Sequence, residues 1–203
     1  MGNLLSVRRG LEHCGATVQV SSDPDIIHHA ARVVLPGVGA FADAMAELQR
    51  LQLDEALRNI VRRGTPLLGI CLGMQLLLDE STEFSSAAGL GLLPGKVVPI
   101  YTKKADGSSL KVPHIGWSEL VVPEGGHNWE GTLLQDIKLG ETVYFLHSFM
   151  AQPENQEHCI AECSYGGLPV CATIGSNHIH GCQFHPEKSG VTGLKVLSRF
   201  LTL

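Results

Sequence analysis

A short apolar run that ends in Gly-x-Cys-x-Gly and leads straight into a helical pattern is the most constraining feature of this chain. The run covers residues 66–78 and places Cys71 on a sharp strand-to-helix turn, the geometry of a nucleophile elbow. Gly69 and Gly73 omit the Cβ atoms that would clash in so crowded a turn. A helix N-terminus favours the thiolate form of a cysteine, so the pattern predicts that Cys71 is a nucleophile. The alternative for Cys71 is a buried structural thiol, which is common for this residue type.

A His-Pro-Glu motif at residues 185–187 supplies the groups that a thiolate nucleophile needs. Such a nucleophile works with a group that accepts and donates a proton, and a third group orients that partner. His185 follows a strand-like run, and Glu187 lies two residues further on, at a spacing that Pro186 stiffens. The sequence therefore predicts a triad of Cys71, His185 and Glu187. Three further histidines, none with a carboxylate so near in sequence, are weaker candidates: His147, His178 and His180.

Length and composition limit the class of protein. A chain of 203 residues fits one domain, residues 1–203, with a full core. The balance of 15 basic and 20 acidic residues gives a net charge of −5, which argues against a nucleic-acid surface, and no apolar run is long enough to span a membrane. The scattered cysteines contain no C-x-x-C pair and predict reduced thiols in the cytoplasm. A metal site built from Cys159, Cys163 and Cys171 is disfavoured by their spacing, so no metal is expected.

Strand-like and helical patterns alternate along the chain, which predicts an α/β fold with a doubly wound, mostly parallel sheet. Besides the elbow strand and its helix, the pattern predicts helices at about 3–13, 41–51, 54–63 and 193–201. It predicts strands at 17–20, 32–35, 143–145, 160–163, 170–174 and 181–184, and β-type structure in the segment 89–122. The polar segment 124–140 is interpreted as a surface loop or an insertion.

With these motifs identified, the chain resembles the class I (triad) glutamine amidotransferases over nearly its whole length. The elbow and His-Pro-Glu motifs are shared by many members. Other segments resemble, more narrowly, the glutaminase subunits of imidazole glycerol phosphate synthases, and among these Pro-Gly-Val-Gly-Ala-Phe and Val-Pro-His-Ile-Gly-Trp are the most specific. The matching segments are 2–4, 35–41, 69–75, 111–117, 144–148 and 184–189.

The resemblance implies that the chain releases ammonia from glutamine and needs no cofactor. Cys71 attacks the side-chain amide to form a glutamyl thioester, while His185, held by Glu187, transfers the proton to the leaving amine. The resemblance places oxyanion donors at the backbone N–H groups of Val38 and Leu72. It places the bound glutamine near three residues: Gly39, Gln75 and Ser148. Taken by itself, the Pro-Gly-Val-Gly turn has an equally good structural interpretation as a tight strand exit.

The resemblance also implies a protein partner. Members of this family pass ammonia to a cyclase subunit, a (β/α)₈ barrel, which uses it with a nucleotide to form imidazole glycerol phosphate in histidine biosynthesis. The positions that match the interface with the cyclase are Asn3, Trp117, Tyr144 and Lys188. Without the resemblance, the two aromatic residues would be interpreted as core residues and the lysine as a solvated charge.

The chain departs from the family pattern in three places. A strand and then Asp-Tyr-Gly usually precede the motif that begins here at Met1, so the resemblance implies that the first strand of the sheet is missing. Ser118 and Phe149 stand where the family has Asn and Tyr, which puts hydrogen bonds to substrate or partner in doubt. The alternatives are a glutaminase for another synthase, a partner-binding pseudoenzyme, and a stand-alone thiol hydrolase.

Overall fold

The computed structural model describes residues 4–84 and 86–203. Its helices are α1 Leu4–His13, α2 Pro24–His29, α3 Phe41–Arg50, α4 Leu53–Arg62, α5 Leu72–Leu76 and α6 Gly190–Phe200. Its strands are β1 Val33–Gly37, β2 Leu67–Cys71, β3 Glu80–Ser81, β4 Ala87–Ala88, β5 Gly95–Pro99, β6 His114–Glu119, β7 Thr142–His147, β8 Phe149–Pro153, β9 Cys159–Tyr165, β10 Leu168–Ser176 and β11 Ile179–Cys182. Two 3₁₀ turns lie at Gln156–His158 and Pro186–Lys188. None of the described helices combines the length and the apolar character that crossing a membrane requires.

The main sheet has the strand order β1-β2-β11-β10-β9. Strand β2 pairs in parallel with β1 and with β11, whereas β10 pairs antiparallel with β11 and with β9. The α/β fold is confirmed, but within the described residues the sheet is less parallel than the sequence pattern predicts. The physical reason is that very short turns join the last three strands: one contains Asn177 at φ 53°, and the other is formed by Gly166 and Gly167. Connections of this length permit only antiparallel pairing.

One edge of the main sheet differs from the prediction. Residues 17–20, predicted as a strand, form no strand in the structure, and the outer edge of β1 has no strand partner among residues 4–84 and 86–203. An apolar cavity of about 800 Å³ lies between these two segments, with Val18 and Val20 on one wall and Val34 on the other. A β-strand is defined by hydrogen bonds to a neighbour, and among the described residues the segment 17–20 has no strand partner. The prediction of a strand at 17–20 is therefore wrong for this structure.

The main sheet is covered on both faces. Helices α1 and α6 contribute Val7, Leu11 and Phe200 to one apolar cluster, which includes Leu68 and Ile70 of β2. The other cluster is built from α3, α4 and α5. Every residue of β2 is buried, which is what a central strand between two helix layers requires. Both clusters therefore meet at the strand that ends in the predicted nucleophile.

Several predicted elements are found with small changes at their ends. Helices α1, α3 and α4 are confirmed, and α6 begins three residues earlier than predicted, at Gly190. The predicted helix cap Asn3 lies outside the described residues. Helix α2 was not predicted, although Asp23 caps it with its carboxylate and Pro24 occupies its first turn, two signals that the sequence carries.

The segment 124–140 contains no named helix or strand, as predicted, but it is not simply polar. Trp129, Leu133 and Leu134 are buried in the first apolar cluster. The Trp129 Nε1–H donates to the Ile160 carbonyl at 2.9 Å. This segment is therefore a loop that is fixed to the core, not an appended insertion.

A candidate active site at the end of the central strand

Cys71 ends β2 and immediately precedes α5, so the predicted elbow is present. Its backbone has φ 55° and ψ −112°, which is a strained conformation for a residue with a Cβ atom. The two neighbouring glycines are required by space. A Cβ at Gly69 would lie 2.5 Å from the Gly73 carbonyl oxygen, and a Cβ at Gly73 would lie 1.7 Å from the Leu35 carbonyl oxygen. The turn therefore needs glycine on both sides of the cysteine.

The other cysteines near the sheet lack the character of a nucleophile. All six cysteines are free thiols. Burial raises the pKa of Cys163 to about 12, and burial also raises the pKa of Cys182. A hydrogen bond with Cys159, together with burial, raises the pKa of Cys171. These three thiols stay protonated at neutral pH, which leaves Cys71 as the candidate nucleophile of the site.

His185 and Glu187 form a buried pair just beyond the end of β11. The His185 Nδ1–H donates to Glu187 Oε1 at 2.9 Å, and the two side chains are 2% and 0% exposed. Ser189 fixes this turn, because its hydroxyl donates to the His185 carbonyl at 2.7 Å and accepts from the Tyr144 backbone N–H at 3.0 Å. The imidazole is thereby held by its ring and by its backbone.

The neighbours of His185 determine its charge. Burial alone would lower the pKa of His185, but hydrogen bonds to Cys71 and Glu187, with the charges on those groups, raise it to about 9. Strand β11 lies beside β2, with Cys182 paired to Ile70, so the residues that follow each strand meet at one edge of the sheet. The structure thus brings together all three predicted triad residues. With its pKa near 9, the His185 imidazole is positively charged at neutral pH.

The two predicted oxyanion donors lie at adjacent strand ends. Gly37, the last residue of β1, pairs with Cys71, the last residue of β2. Val38 and Leu72 therefore directly follow two neighbouring strands. The turn after β1 packs on the elbow, since a Cβ at Gly37 would contact the Leu72 Cβ at 3.0 Å. Val38 itself is exposed. This arrangement is compatible with an oxyanion hole, and it follows from the pairing of β1 with β2.

The predicted substrate residues are divided between two sides of the site. Gly39, at φ 105° and exposed, continues the turn after β1. Gln75 is buried, and its Nε2 donates to the Phe149 carbonyl at 3.0 Å and to Gln183 Oε1 at 2.9 Å. Ser148 precedes Phe149 and is half-buried. Gln75 and the segment that contains Ser148 are therefore joined by a hydrogen bond.

The sequence analysis did not predict the hydrogen bonds of two groups of residues at the site. Gln183 is fully buried, and its Nε2 lies 3.7 Å from Cys71 Sγ. His114 and His147 are buried and hydrogen-bonded to each other at 3.0 Å. The sequence signal for Gln183 was its place directly before the Phe-His-Pro-Glu motif. His147 was predicted only as a weaker candidate, and its contact with His114 depends on the pairing of β6 with β7.

An exposed apolar surface lies on the outer face of the β6–β7 hairpin, close to the site. Trp117 and Tyr144 are paired across the hairpin with ring centroids 6.0 Å apart, and Trp117 is 56% exposed. Ile115 and Leu146 extend this surface. Lys188 is exposed on the turn that carries Glu187, while Asn3 lies outside the described residues. Trp117 is thus a surface residue and Tyr144 is half-buried, so neither belongs to the core. Exposed apolar patches often mark interaction sites.

Comparisons with known proteins agree with this geometry. The family model for class-I glutamine amidotransferases matches residues 2–202. The chain is 47% identical over 203 residues to imidazole glycerol phosphate synthase subunit HisH 1 of Legionella pneumophila (strain Lens), covering 100% of this chain and 95% of that one. It is 46% identical over 200 residues to subunit HisH of Moorella thermoacetica, with 98% and 90% coverage.

Solved structures share the fold at much lower identity. A crystal structure of a glutamine amidotransferase superposes with a TM-score of 0.72 at 17% identity, covering 99% of this chain and 93% of that chain. The structure of PurLQS from Thermotoga maritima superposes with a TM-score of 0.69 at 20% identity, with 99% and 92% coverage. The length of the family match and the identity to full-length relatives lead to one conclusion: this chain belongs to the class I glutamine amidotransferases, among the HisH subunits of imidazole glycerol phosphate synthases.

Proposed function

We propose that this chain hydrolyses glutamine to glutamate and ammonia, and that it delivers the ammonia to a cyclase subunit in histidine biosynthesis. The observation that carries the proposal is the buried His185–Glu187 pair, joined at 2.9 Å, beside the strained elbow at Cys71. The HisH relatives, which match along nearly the whole chain, support the biosynthetic assignment. In this proposal residues 1–203 act as a single amidotransferase domain.

The proposed reaction begins with the Cys71 thiolate and the protonated His185. The sulfur attacks the side-chain carbonyl carbon of glutamine, and the carbonyl oxygen takes up the negative charge. The backbone N–H groups of Val38 and Leu72 stabilise this oxyanion, and losing one such donor typically costs about 10²–10³ in rate. His185 then gives its proton to the amide nitrogen, and ammonia leaves as the carbon–nitrogen bond breaks.

Water completes the reaction by the same route. His185, now neutral, takes a proton from a water molecule that attacks the glutamyl thioester. The carbon–sulfur bond breaks, glutamate leaves, and the thiolate–imidazolium pair is restored. Glu187 holds the imidazole in the tautomer whose Nε2 faces the reacting atoms, because its carboxylate engages Nδ1. Gly39 and Ser148 are proposed to hold the amino-acid part of the substrate.

The proposed partner surface is the exposed apolar face of the β6–β7 hairpin. Trp117 and Tyr144 form its centre, and Lys188 is a proposed polar contact at its margin. Asn3, which lies outside the described residues, is proposed as a further contact because it matches an interface position of the family. Aromatic residues of this kind are enriched among the groups that dominate interface energies. The assembly proposed is a cytoplasmic heterodimer with the cyclase subunit, which gives the complex its lyase activity.

Glutamate release from glutamine tests the proposal directly. We would measure it for the chain alone, with an added cyclase subunit, and with that subunit together with its nucleotide ligand. We expect strong release only in the complete mixture, and none from the Cys71→Ala variant. Release that needs no partner would favour a stand-alone thiol hydrolase. Silence in every mixture, from a chain that still binds the cyclase, would identify a pseudoenzyme and overturn the proposal.

A further inference from the structure

The orientation of two buried amides beside the nucleophile follows from one backbone carbonyl. A carbonyl oxygen only accepts hydrogen bonds, so the side-chain atom of Gln75 that lies 3.0 Å from the Phe149 oxygen is the amide nitrogen, Nε2. The same nitrogen lies 2.9 Å from a terminal atom of Gln183. Because the nitrogen of Gln75 donates both of its hydrogens, that atom of Gln183 is the amide oxygen, Oε1. The orientations of both side-chain amides, those of Gln75 and Gln183, are therefore fixed by their hydrogen bonds.

The nitrogen of Gln183 is therefore the atom that faces Cys71. It lies 3.7 Å from Cys71 Sγ, within the reach of an N–H···S hydrogen bond. The Gln183 side chain is fully buried, so water does not compete for this donor. The backbone of Gln183 is also fixed, since its N–H donates to the Ala172 carbonyl at 2.9 Å.

The Phe149 carbonyl that determines this order is itself held by a pair of histidines. His147 Nδ1 lies 2.8 Å from the Phe149 oxygen and must donate to it, so His147 Nε2 accepts from His114 Nδ1 at 3.0 Å. His114 Nε2 is left to accept the Ser118 hydroxyl at 3.0 Å. Burial lowers the pKa of both histidines to about 4, so the pair is neutral and this order persists through the physiological pH range.

Packing restrains the histidine pair as well. The His114 ring is stacked between the Phe145 ring, at a centroid distance of 4.8 Å, and the Tyr165 ring, at 4.0 Å. Ser118, at the start of the chain of hydrogen bonds, is next to the exposed Trp117. Two series of donors thus meet at the Phe149 carbonyl: it accepts from His147 on the β6 side, and from Gln75 on the side that leads through Gln183 to the nucleophile.

We propose that Gln183 is a further catalytic residue, whose side-chain N–H donates to Cys71 Sγ and stabilises the thiolate, and that Gln75 is the positioning residue that orients it. This inference rests on the proposed function for the reaction it serves, but it concerns the state of the thiol and can be tested without turnover. It gives Gln75 a role other than direct substrate contact.

The surroundings of the sulfur explain why this donor matters. The Leu146 carbonyl lies 3.8 Å from Sγ and can only accept, so it favours the protonated thiol. The Gln183 N–H opposes this effect and favours the thiolate, together with His185. The other titratable groups nearby are Glu187, which is charged, and His147 and Cys182, which stay neutral at pH 7.

The test is the rate at which iodoacetamide alkylates Cys71, followed by mass spectrometry of the Cys71 peptide between pH 6 and 9.5. In Gln183→Met, which keeps the side-chain volume and removes the N–H, we expect the rate at pH 7 to fall about three- to tenfold. Gln75→Met should give a smaller fall, because the Gln183 amide is then free to turn. Gln152→Met, at an exposed glutamine, is the matched control, and Cys71→Ser shows which signal belongs to the nucleophile.

Glutaminase kinetics supply the second readout. A thiolate-stabilising role predicts a lower kcat for Gln183→Met with the KM for glutamine unchanged, whereas a pocket-shaping role predicts a raised KM. Gln183→Glu, which keeps the shape and the polarity, replaces Gln183→Met if the latter does not fold, and it should lower the alkylation rate further. Folded variants that alkylate within twofold of the parent chain overturn the inference. Slowed alkylation, combined with no glutaminase activity in the complete mixture with the cyclase subunit and its nucleotide ligand, supports it and contradicts only the proposed function.

Discussion

At the scale of single residues, the site depends on two side chains held in states that are unfavourable elsewhere. Cys71 has a positive φ, and such conformations cost about 1–3 kcal/mol where they occur. His185 is buried and yet carries a raised pKa, because Cys71 and Glu187 stabilise its charged form against the cost of burial. The sequence motif predicts the sharp turn at Cys71, whereas the burial and the raised pKa of His185 emerge only from the structure.

The charge on His185 predicts a pH-dependent contribution to stability. Its folded-state pKa of about 9 lies above the ordinary value of 6.5, so its stabilising contribution is complete below pH 6.5 and is lost as the pH rises through 9. In Glu187→Gln we expect the free energy of unfolding to fall by on the order of 1–2 kcal/mol at pH 6, and the difference from the parent chain to shrink toward pH 9.5.

Urea unfolding of both proteins between pH 6 and 9.5 measures this difference. Glu157→Gln, which changes an exposed carboxylate, is the control and should unfold like the parent chain throughout. A destabilisation by Glu187→Gln that stays constant across the range would contradict the assignment of the effect to His185.

At the scale of elements, the elbow is set by the contact between β1 and the start of α5. The Leu35 carbonyl of β1 occupies the space beside Gly73, and Gly37 lies against Leu72. The sequence predicts a tight turn here from its glycines. It does not show that β1 is the element packed against the turn, since β1 and the elbow lie some 30 residues apart.

Gly73→Ala tests this contact. The added Cβ would lie 1.7 Å from the Leu35 oxygen, so β1 and α5 must separate, and we expect a loss of about 3 kcal/mol or more in the free energy of unfolding. Gly64→Ala is the matched control, because Gly64 has φ 82° with nothing within 4 Å of the added Cβ, and it should cost only about 1 kcal/mol. Thermal and urea unfolding measure both values. Because Gly73 has no positive φ, a cost for Gly73→Ala no larger than that for Gly64→Ala would show that the contact with β1 yields to the added Cβ.

At the scale of the whole molecule, the outer edge of β1 has no strand partner within the described residues and borders an apolar cavity. Beside β1 lies the cavity of about 800 Å³, lined by valine and leucine side chains and bounded by the unpaired segment 17–20. Open strand edges and apolar grooves bind apolar molecules readily. The cavity is on the far side of β1 from the strand that carries Cys71, so it is separate from the reaction site.

A dye that fluoresces in apolar surroundings should bind this cavity. Val20→Asp places a charge on its wall, and we expect the dye affinity to fall by about tenfold, since the carboxylate must otherwise be desolvated. Val191→Asp changes another exposed valine, which does not line the cavity, and should leave the affinity unchanged. Fluorescence titration measures both. A similar loss in the two variants would show that the dye binds elsewhere.

What the sequence by itself determined is local. A strand that ends at Cys71, glycines on each side of it, and a carboxylate two residues from His185 are properties of neighbouring positions, and turn geometry follows from the residue types. The family resemblance rests on these same short segments. What only the tertiary structure decided depends on residues far apart in the chain: the donor from Gln183 to Cys71, the neutral histidine pair, the antiparallel half of the sheet and the open edge of β1. The physical reason is that hydrogen-bond direction and strand pairing depend on which groups are in contact in the folded chain. The spacing of residues along the sequence does not specify those contacts.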